Sequence, residues 1–281
     1  MRALLATILF SSVGLLCFVP TSAYETPAGD APSYTTDGTK IAEVSARAWG
    51  IFDAESGNLL WGHNEDTAYP IASVTKLMTA LVTLDTLDLE ATTTLSRRAI
   101  ATEGRAGGLA AGEVFSIREL LFPLILSSSN DAAEAIAEYE GRDIFIAAMN
   151  NTAQSLDMVH TGYDEPSGLS PRSVSSVSDL AKLALYLVRE RPYLMDVSQL
   201  DTYVGEDHAW RNINPASHLA TYRGGKHGYT DEANRTLVSF FEEETASGAP
   251  RMFLVVLLGS NDLKADMATL RAYLQSDVWY E

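Results

Sequence analysis

The chain opens with a largely apolar run from Ala3 to Val19, preceded by the basic residue Arg2 and closed by Pro20. Thr21-Ser22-Ala23 then supplies the small residues that a signal peptidase cuts behind. Residues 1–23 therefore read as an export signal, with an uncleaved anchor helix as the alternative, since seventeen residues nearly span a bilayer. Residues 24–40, rich in Pro, Gly, Thr and Asp, read as a flexible linker. From Val44 the pattern changes to two apolar runs separated by Glu55-Ser56-Gly57-Asn58, which predicts a hairpin. Leu77, Ala80, Leu81 and Leu84 follow at helical spacing. Residues 90–200 are mostly helical by pattern, in "SIRELLFPLIL", "DAAEAIAEYEG", "DIFIAAMNNTAQSL" and "SDLAKLALYLVRE". The last third returns to strands in "HLATYRGGKHGYT", "RTLVSFFEEE" and "RMFLVVLLGS", spaced as a meander, before a closing helix in "DLKADMATLRAYLQS".

Strands at both ends with helices between them imply an α+β domain over 41–281. An antiparallel sheet of about five strands would be built from both chain ends, with a helical subdomain inserted at about 90–210.

Charge narrows the partners. The formal charge is −17, and removal of residues 1–23 takes away Arg2 to leave −18, which argues against nucleic acid and anionic membrane surfaces. The single cysteine, Cys17, lies within the export signal, so the exported chain has no thiol for a disulfide, a zinc-cysteine site or a nucleophile. The last segment, "ATLRAYLQSDVWYE", lacks the basic face of an interfacial anchor.

Three short motifs carry candidate chemistry. Ser73-Val74-Thr75-Lys76 opens a predicted helix, where positions i and i+3 share a face and bring the hydroxyl and the amine together. Ser128-Ser129-Asn130 joins two predicted helices, and helix capping is its ordinary reading. A decoy with the same spacing, Ser56-Gly57-Asn58, falls in the hairpin turn, where turn geometry explains it. Gly224-Gly225-Lys226-His227-Gly228 places a cation among glycines on a predicted strand. Either it is a glycine-rich turn, or its backbone must be approached closely.

In this order, Ser-x-x-Lys, Ser-x-Asn and Lys-x-Gly form the set of penicillin-binding proteins and serine β-lactamases. With "YPIASVTKLMTALVTLD", "LLFPLILSSSNDAAEAIAE", "MNNTAQSLDM", "EPSGLSPRSVSSVSDLAKLA" and "GYTDEA", the chain resembles the low-molecular-mass D-alanyl-D-alanine carboxypeptidases over about residues 41–275. The resemblance implies a β-lactamase/transpeptidase-like fold, no cofactor and no metal. It implies peptidoglycan stem peptides and β-lactams as ligands, and a periplasmic or other extracytoplasmic location. Two positions depart from the family: His227 stands where threonine is usual, and Asn234 where glycine is usual. Asn tolerates left-handed backbone, so the second change is mild.

A serine hydroxyl needs a base, and Lys76 is the nearest candidate. To act near pH 7 its pKa must fall from about 10.4 by some three units, about 4 kcal/mol of disfavoured charge. By resemblance, Lys226 sits close enough to help and also attracts the substrate's anionic end. By the same resemblance, Ser128 would relay a proton to the departing amine, and Asn130 would hold the substrate amide and the Lys76 headgroup. The backbone N–H groups of Ser73 and Tyr229, the latter just after Gly228, would bind the oxyanion. His227 would take over the threonine's contact with the C-terminal carboxylate, donating a hydrogen bond or carrying charge below about pH 6.5, or else point away from the cleft. Gly224, Gly225 and Gly228 would keep the strand edge bare for a peptide laid alongside it.

The expected activity is thus a serine D,D-carboxypeptidase working through an acyl-Ser73 intermediate. The alternatives are a D,D-endopeptidase cutting cross-links, a β-lactamase, and a catalytically silent peptidoglycan-binding protein. A class A β-lactamase is disfavoured because "DEPSGLS" stands where a Glu-x-x-Leu-Asn stretch would activate water.

Overall fold

A computed structural model describes residues 34–36, 43–104, 107–248 and 250–280. The export signal read at 1–23 and most of the 24–40 linker lie outside them.

The predicted first hairpin is β1 (Ala48–Asp53) and β2 (Leu59–His63). Asp53 Oδ1 accepts from the backbone N–H and hydroxyl of Ser56, and Gly57 takes a φ of 79°. Ser56-Gly57 is thus spent on turning the chain.

A one-turn helix at Ala72–Thr75 leads into α1 (Lys76–Thr86). Five longer helices follow: α2 (Ile117–Ile125), α3 (Asn130–Glu140), α4 (Arg142–Ser155), α5 (Val177–Glu190) and α6 (Pro192–Gln199). Their starts are written locally. Ser116 and Glu119 form a capping box on α2, and the Ser176 side chain accepts from Asp179 N–H at the head of α5.

The meander is β3 (Tyr222–Thr230), β4 (Asn234–Glu244) and β5 (Pro250–Ser260). The five strands pair antiparallel in the order β3-β4-β5-β1-β2, joining both chain ends in one sheet as expected. Asn234 closes the β3–β4 turn at a φ of 55°, the left-handed backbone its amide side chain tolerates.

Strand alternation sends successive side chains to opposite faces. Phe52, Phe240, Leu254 and Val256 join the core with α1, α2, α3 and α5. Ile51, Phe241, Phe253 and Val255 pack instead on α7 (Leu263–Asp277), through Leu263, Met267, Leu270 and Leu274. The sheet is therefore buried on both faces, and β3 is left as its edge beside the helical region. No helix among the described residues is long and apolar enough to cross a membrane.

One expectation changes. Tyr34–Thr36, read as part of the linker, form a short strand pairing antiparallel with Val278–Tyr280 beyond α7. Pairing across the whole chain length leaves no local pattern to read.

Candidate active site

The turn bearing Ser73 is held from two sides. Ala72 has a φ of 48°, a conformation that costs a non-glycine residue roughly 1–3 kcal/mol and persists only when its surroundings enforce it. The Thr236 hydroxyl of β4 donates to Ile71 O at 3.0 Å. On the other side, a Cβ on Gly168 would stand 1.8 Å from Ala72 O, so the loop at 165–170 presses its bare backbone against the turn. Lys76 begins α1 and is fully buried. Its Nζ lies 3.0 Å from Ser73 Oγ, 2.7 Å from Asn130 Oδ1 and 2.6 Å from Ser167 O.

Asn130 Oδ1 and the Ser167 carbonyl can only accept. A neutral Lys76 that donates its two N–H bonds to them has its lone pair left for the Ser73 hydroxyl. The Asn130 amide is itself oriented, because its Nδ2 donates to Glu103 O at 2.8 Å.

Capping does not consume the Ser-x-Asn motif. The middle residue, Ser129, caps α3 by accepting from Ala132 N–H at 3.1 Å. This frees its neighbours to face the cleft, and Ser128 is held at a φ of 59°. Ser128 Oγ is 2.9 Å from Lys226 Nζ, so β3 and the α2–α3 loop meet there.

On β3, alternation divides the third motif. Lys226 is buried toward Ser128, and a Cβ on Gly228 would fall 2.5 Å from Ser73 N. The glycines therefore serve the protein's own packing. A Cβ on Gly225 would meet Val238 O of β4 at 2.2 Å, and Gly228 lets the strand approach the Ser73 turn. The expectation that they all keep an edge bare for peptide gives way to this closer contact. The Ser73 and Tyr229 backbones, expected to bind the oxyanion, flank that approach.

His227 lies on the opposite strand face from Lys226. It lines a cavity of about 380 Å³ with Ile213, Tyr229, Arg235 and Lys264, and its Nδ1 is buried without a hydrogen-bond partner. Burial first, then the Lys226 and Lys76 amines, push its pKa down to about 3. These surroundings tax the imidazolium and so work against the expectation that it carries charge below pH 6.5, while the ring's place on the far strand face fits the alternative that it points away from the cleft.

Burial also lowers Lys76, to about 7, opposed by the negative charge of Glu165. Lys226 falls well below its ordinary value through burial and then through Lys76. Together these groups offer a hydroxyl nucleophile, a base titrating near neutrality, a second hydroxyl beside a second amine, and backbone donors close by.

Sequence reading missed Glu165 and Ser167. Glu165 is buried, and both its oxygens accept from its own loop: Ser167 N and Oγ at 2.7 and 2.5 Å, Gly168 N at 2.5 Å and Ser170 N at 3.4 Å. The signal available was an acid before Pro-Ser-Gly, but Ser167 acts through its carbonyl, which any residue carries.

The family model described as D-alanyl-D-alanine carboxypeptidase matches residues 35–261. The chain is 34% identical to a D-alanyl-D-alanine endopeptidase of Pseudomonas aeruginosa, covering 83% of this chain and 78% of the relative. It is 31% identical to the D-alanyl-D-alanine carboxypeptidase DacB2 of Mycobacterium tuberculosis, over 83% and 79%. The crystal structure of a D-alanyl-D-alanine carboxypeptidase from that organism superposes with a TM-score of 0.78 at 26% identity, covering 85% of this chain and 94% of that one. With the family model matching most of the chain and the whole fold shared with that carboxypeptidase, the chain belongs to the D-alanyl-D-alanine carboxypeptidase family of serine peptidases.

Proposed function

We propose that the protein is an exported serine D,D-carboxypeptidase that removes the terminal D-Ala from peptidoglycan stem peptides. The observation that carries this reading is the Lys76 amine, 3.0 Å from Ser73 Oγ with two obligate acceptors, Asn130 Oδ1 and Ser167 O, taking its N–H bonds. Lys76 accepts the Ser73 proton as Oγ attacks the penultimate D-Ala carbonyl. The oxyanion is met by the backbone N–H groups of Ser73 and Tyr229. Ser128, hydrogen-bonded to Lys226, passes a proton to the departing D-Ala nitrogen, and water then releases the acyl group from Ser73. Asn130 lines the acyl side, and Lys226 draws in the substrate carboxylate, whose charge favours protonation of that amine.

A β-lactam acylates the same serine. The Glu165 carboxylate is occupied by its own loop. It is therefore a poor base for a deacylating water, and the penicilloyl enzyme should persist. One observation favours D,D-endopeptidase activity as a second reading: the chain is 34% identical to the D-alanyl-D-alanine endopeptidase of Pseudomonas aeruginosa.

Labelling with fluorescent penicillin, followed by product analysis on a stem pentapeptide and on a cross-linked dimer, tests the proposal. Ser73→Ala should abolish the covalent adduct with the fold intact by circular dichroism. An undiminished adduct would move the nucleophile elsewhere, and cleavage of the dimer alone would favour the endopeptidase.

A further inference from the structure

The loop at 165–170 does more than support the nucleophile turn. Its Ser167 carbonyl takes a Lys76 N–H bond at 2.6 Å, and its Pro166 carbonyl accepts from the Thr79 hydroxyl, one turn along α1, at 2.6 Å. What gives this loop its shape is the Glu165 carboxylate, which gathers three backbone N–H groups and one hydroxyl of the loop around itself. A negative charge is thus buried one carbonyl away from the amine.

We propose that Glu165 is a positioning residue of the acylation step. From inside its loop it holds the Ser167 carbonyl on Lys76 and supplies the negative charge that favours the proton taken from Ser73. The inference rests on the serine peptidase reading.

The step balances without a further reactant. The Ser73 Oγ–H proton goes to Lys76 Nζ, Oγ bonds to the carbonyl carbon, and the carbonyl π pair moves onto its oxygen. Lys76 is then an ammonium in a buried pocket, with Ser73, Asn130 and Ser167 as its acceptors. The charged groups around it are few. Lys226 of β3 is a second amine, His227 is neutral, and Glu165 is the anion felt at Lys76. Arg142 at the head of α4 also feels Glu165, but its guanidinium is paired with Glu134 at 2.9 Å. Glu165 therefore acts toward Lys76 as the carboxylate of a Ser-His-Asp triad acts toward its imidazole, orienting the base and favouring its protonated form without itself taking the proton.

Single-turnover acylation by a fluorescent penicillin, measured from pH 5 to 10, tests this. Wild type should show an acid limb with its midpoint near Lys76's value of about 7. In Glu165→Gln the midpoint should fall by about one unit and the plateau by up to about tenfold, since a less basic amine is a weaker base. Glu165→Asp keeps the charge and should hold the wild-type midpoint. Ser167→Ala leaves the carboxylate without its hydroxyl donor, so the midpoint should rise. A Glu165→Gln midpoint equal to wild type, whatever its plateau, would overturn the inference, as would Asp shifting as far as Gln. If Glu165→Gln does not fold, an unshifted or lowered midpoint in Ser167→Ala overturns it. Wild type that fails to label would instead sink the peptidase reading.

Discussion

Lys76 and Lys226 are both buried, and each has a serine hydroxyl within 3.0 Å, yet their surroundings differ in kind. Lys76 has two obligate acceptors, Asn130 Oδ1 and Ser167 O, and the Glu165 anion nearby. Lys226 has Ser128 Oγ and the His227 carbonyl, and the charge that acts on it is another amine. Burial disfavours both cations, but only Lys76 has an anion to restrain the fall. One amine is thus held where it can exchange a proton at neutral pH. The other is left lacking an anion, which a substrate or antibiotic carboxylate can supply. The same residue type is thereby suited to the proposed base role in one setting and to the proposed anion-receptor role in the other.

The largest expected effect breaks this comparison at Lys76. Lys76→Met should lower the acylation rate by about 10²–10⁴-fold, the usual contribution of a general base. It should also change stability with pH in a definite direction. Between about 7 and 10.5 the unfolded chain holds a proton at Lys76 that the folded chain lacks. Wild-type stability from this group therefore rises with pH across that window and is lowest below it. The Met variant should gain most over wild type below pH 7, on the order of a few kcal/mol before the lost hydrogen bonds are subtracted, and the gain should shrink toward pH 10. Chemical denaturation of both proteins at pH 6 and 9.5 checks this, and a constant difference would mean that Lys76 is not depressed.

Lys226→Met should act on binding. Loss of a charge-assisted hydrogen bond to a carboxylate costs about 1.5–3 kcal/mol, or roughly 10- to 100-fold in affinity. The acylation rate at saturation should fall less than tenfold. Separate determination of that rate and of the half-saturating penicillin concentration would tell. A saturating rate as low as that of Lys76→Met would show that the two amines share the base role.

How much of this was legible before the structure depends on which atoms do the work. Ser73 and Lys76 were readable because i and i+3 share a helix face, and the two groups of strands announced the sheet. Ser128 and Asn130 were readable as a motif, although the division of labour that makes Ser129 the cap needed backbone angles. Ser167 was not legible, because a carbonyl leaves no trace in side-chain identity, and Glu165 becomes meaningful only once its loop closes around it. The glycines of β3 were visible as glycines, but the neighbours that demand them, Val238 and the Ser73 backbone, come from distant parts of the chain.

The smallest effect concerns the residue next to Lys226. His227 shares a peptide with Lys226 and offers its carbonyl to Lys226 Nζ at 2.7 Å, while its ring lies on the other face of β3. With a pKa near 3, the imidazole is neutral throughout the pH range where Lys76 works. It can still hydrogen-bond, but it cannot add a charge that switches with pH. The ratio of kcat/KM on a free-acid D-Ala-D-Ala peptide to that on its C-terminal amide should therefore not change with His227 ionisation between pH 5.5 and 8. His227→Thr should leave the pH dependence of that ratio unaltered and move its size by no more than a few fold, about one neutral hydrogen bond. An acidic shoulder present in wild type and absent in His227→Thr would mean that the imidazole charges next to Lys226. The contrast between the two lysines would then have to include a third cation at the receptor.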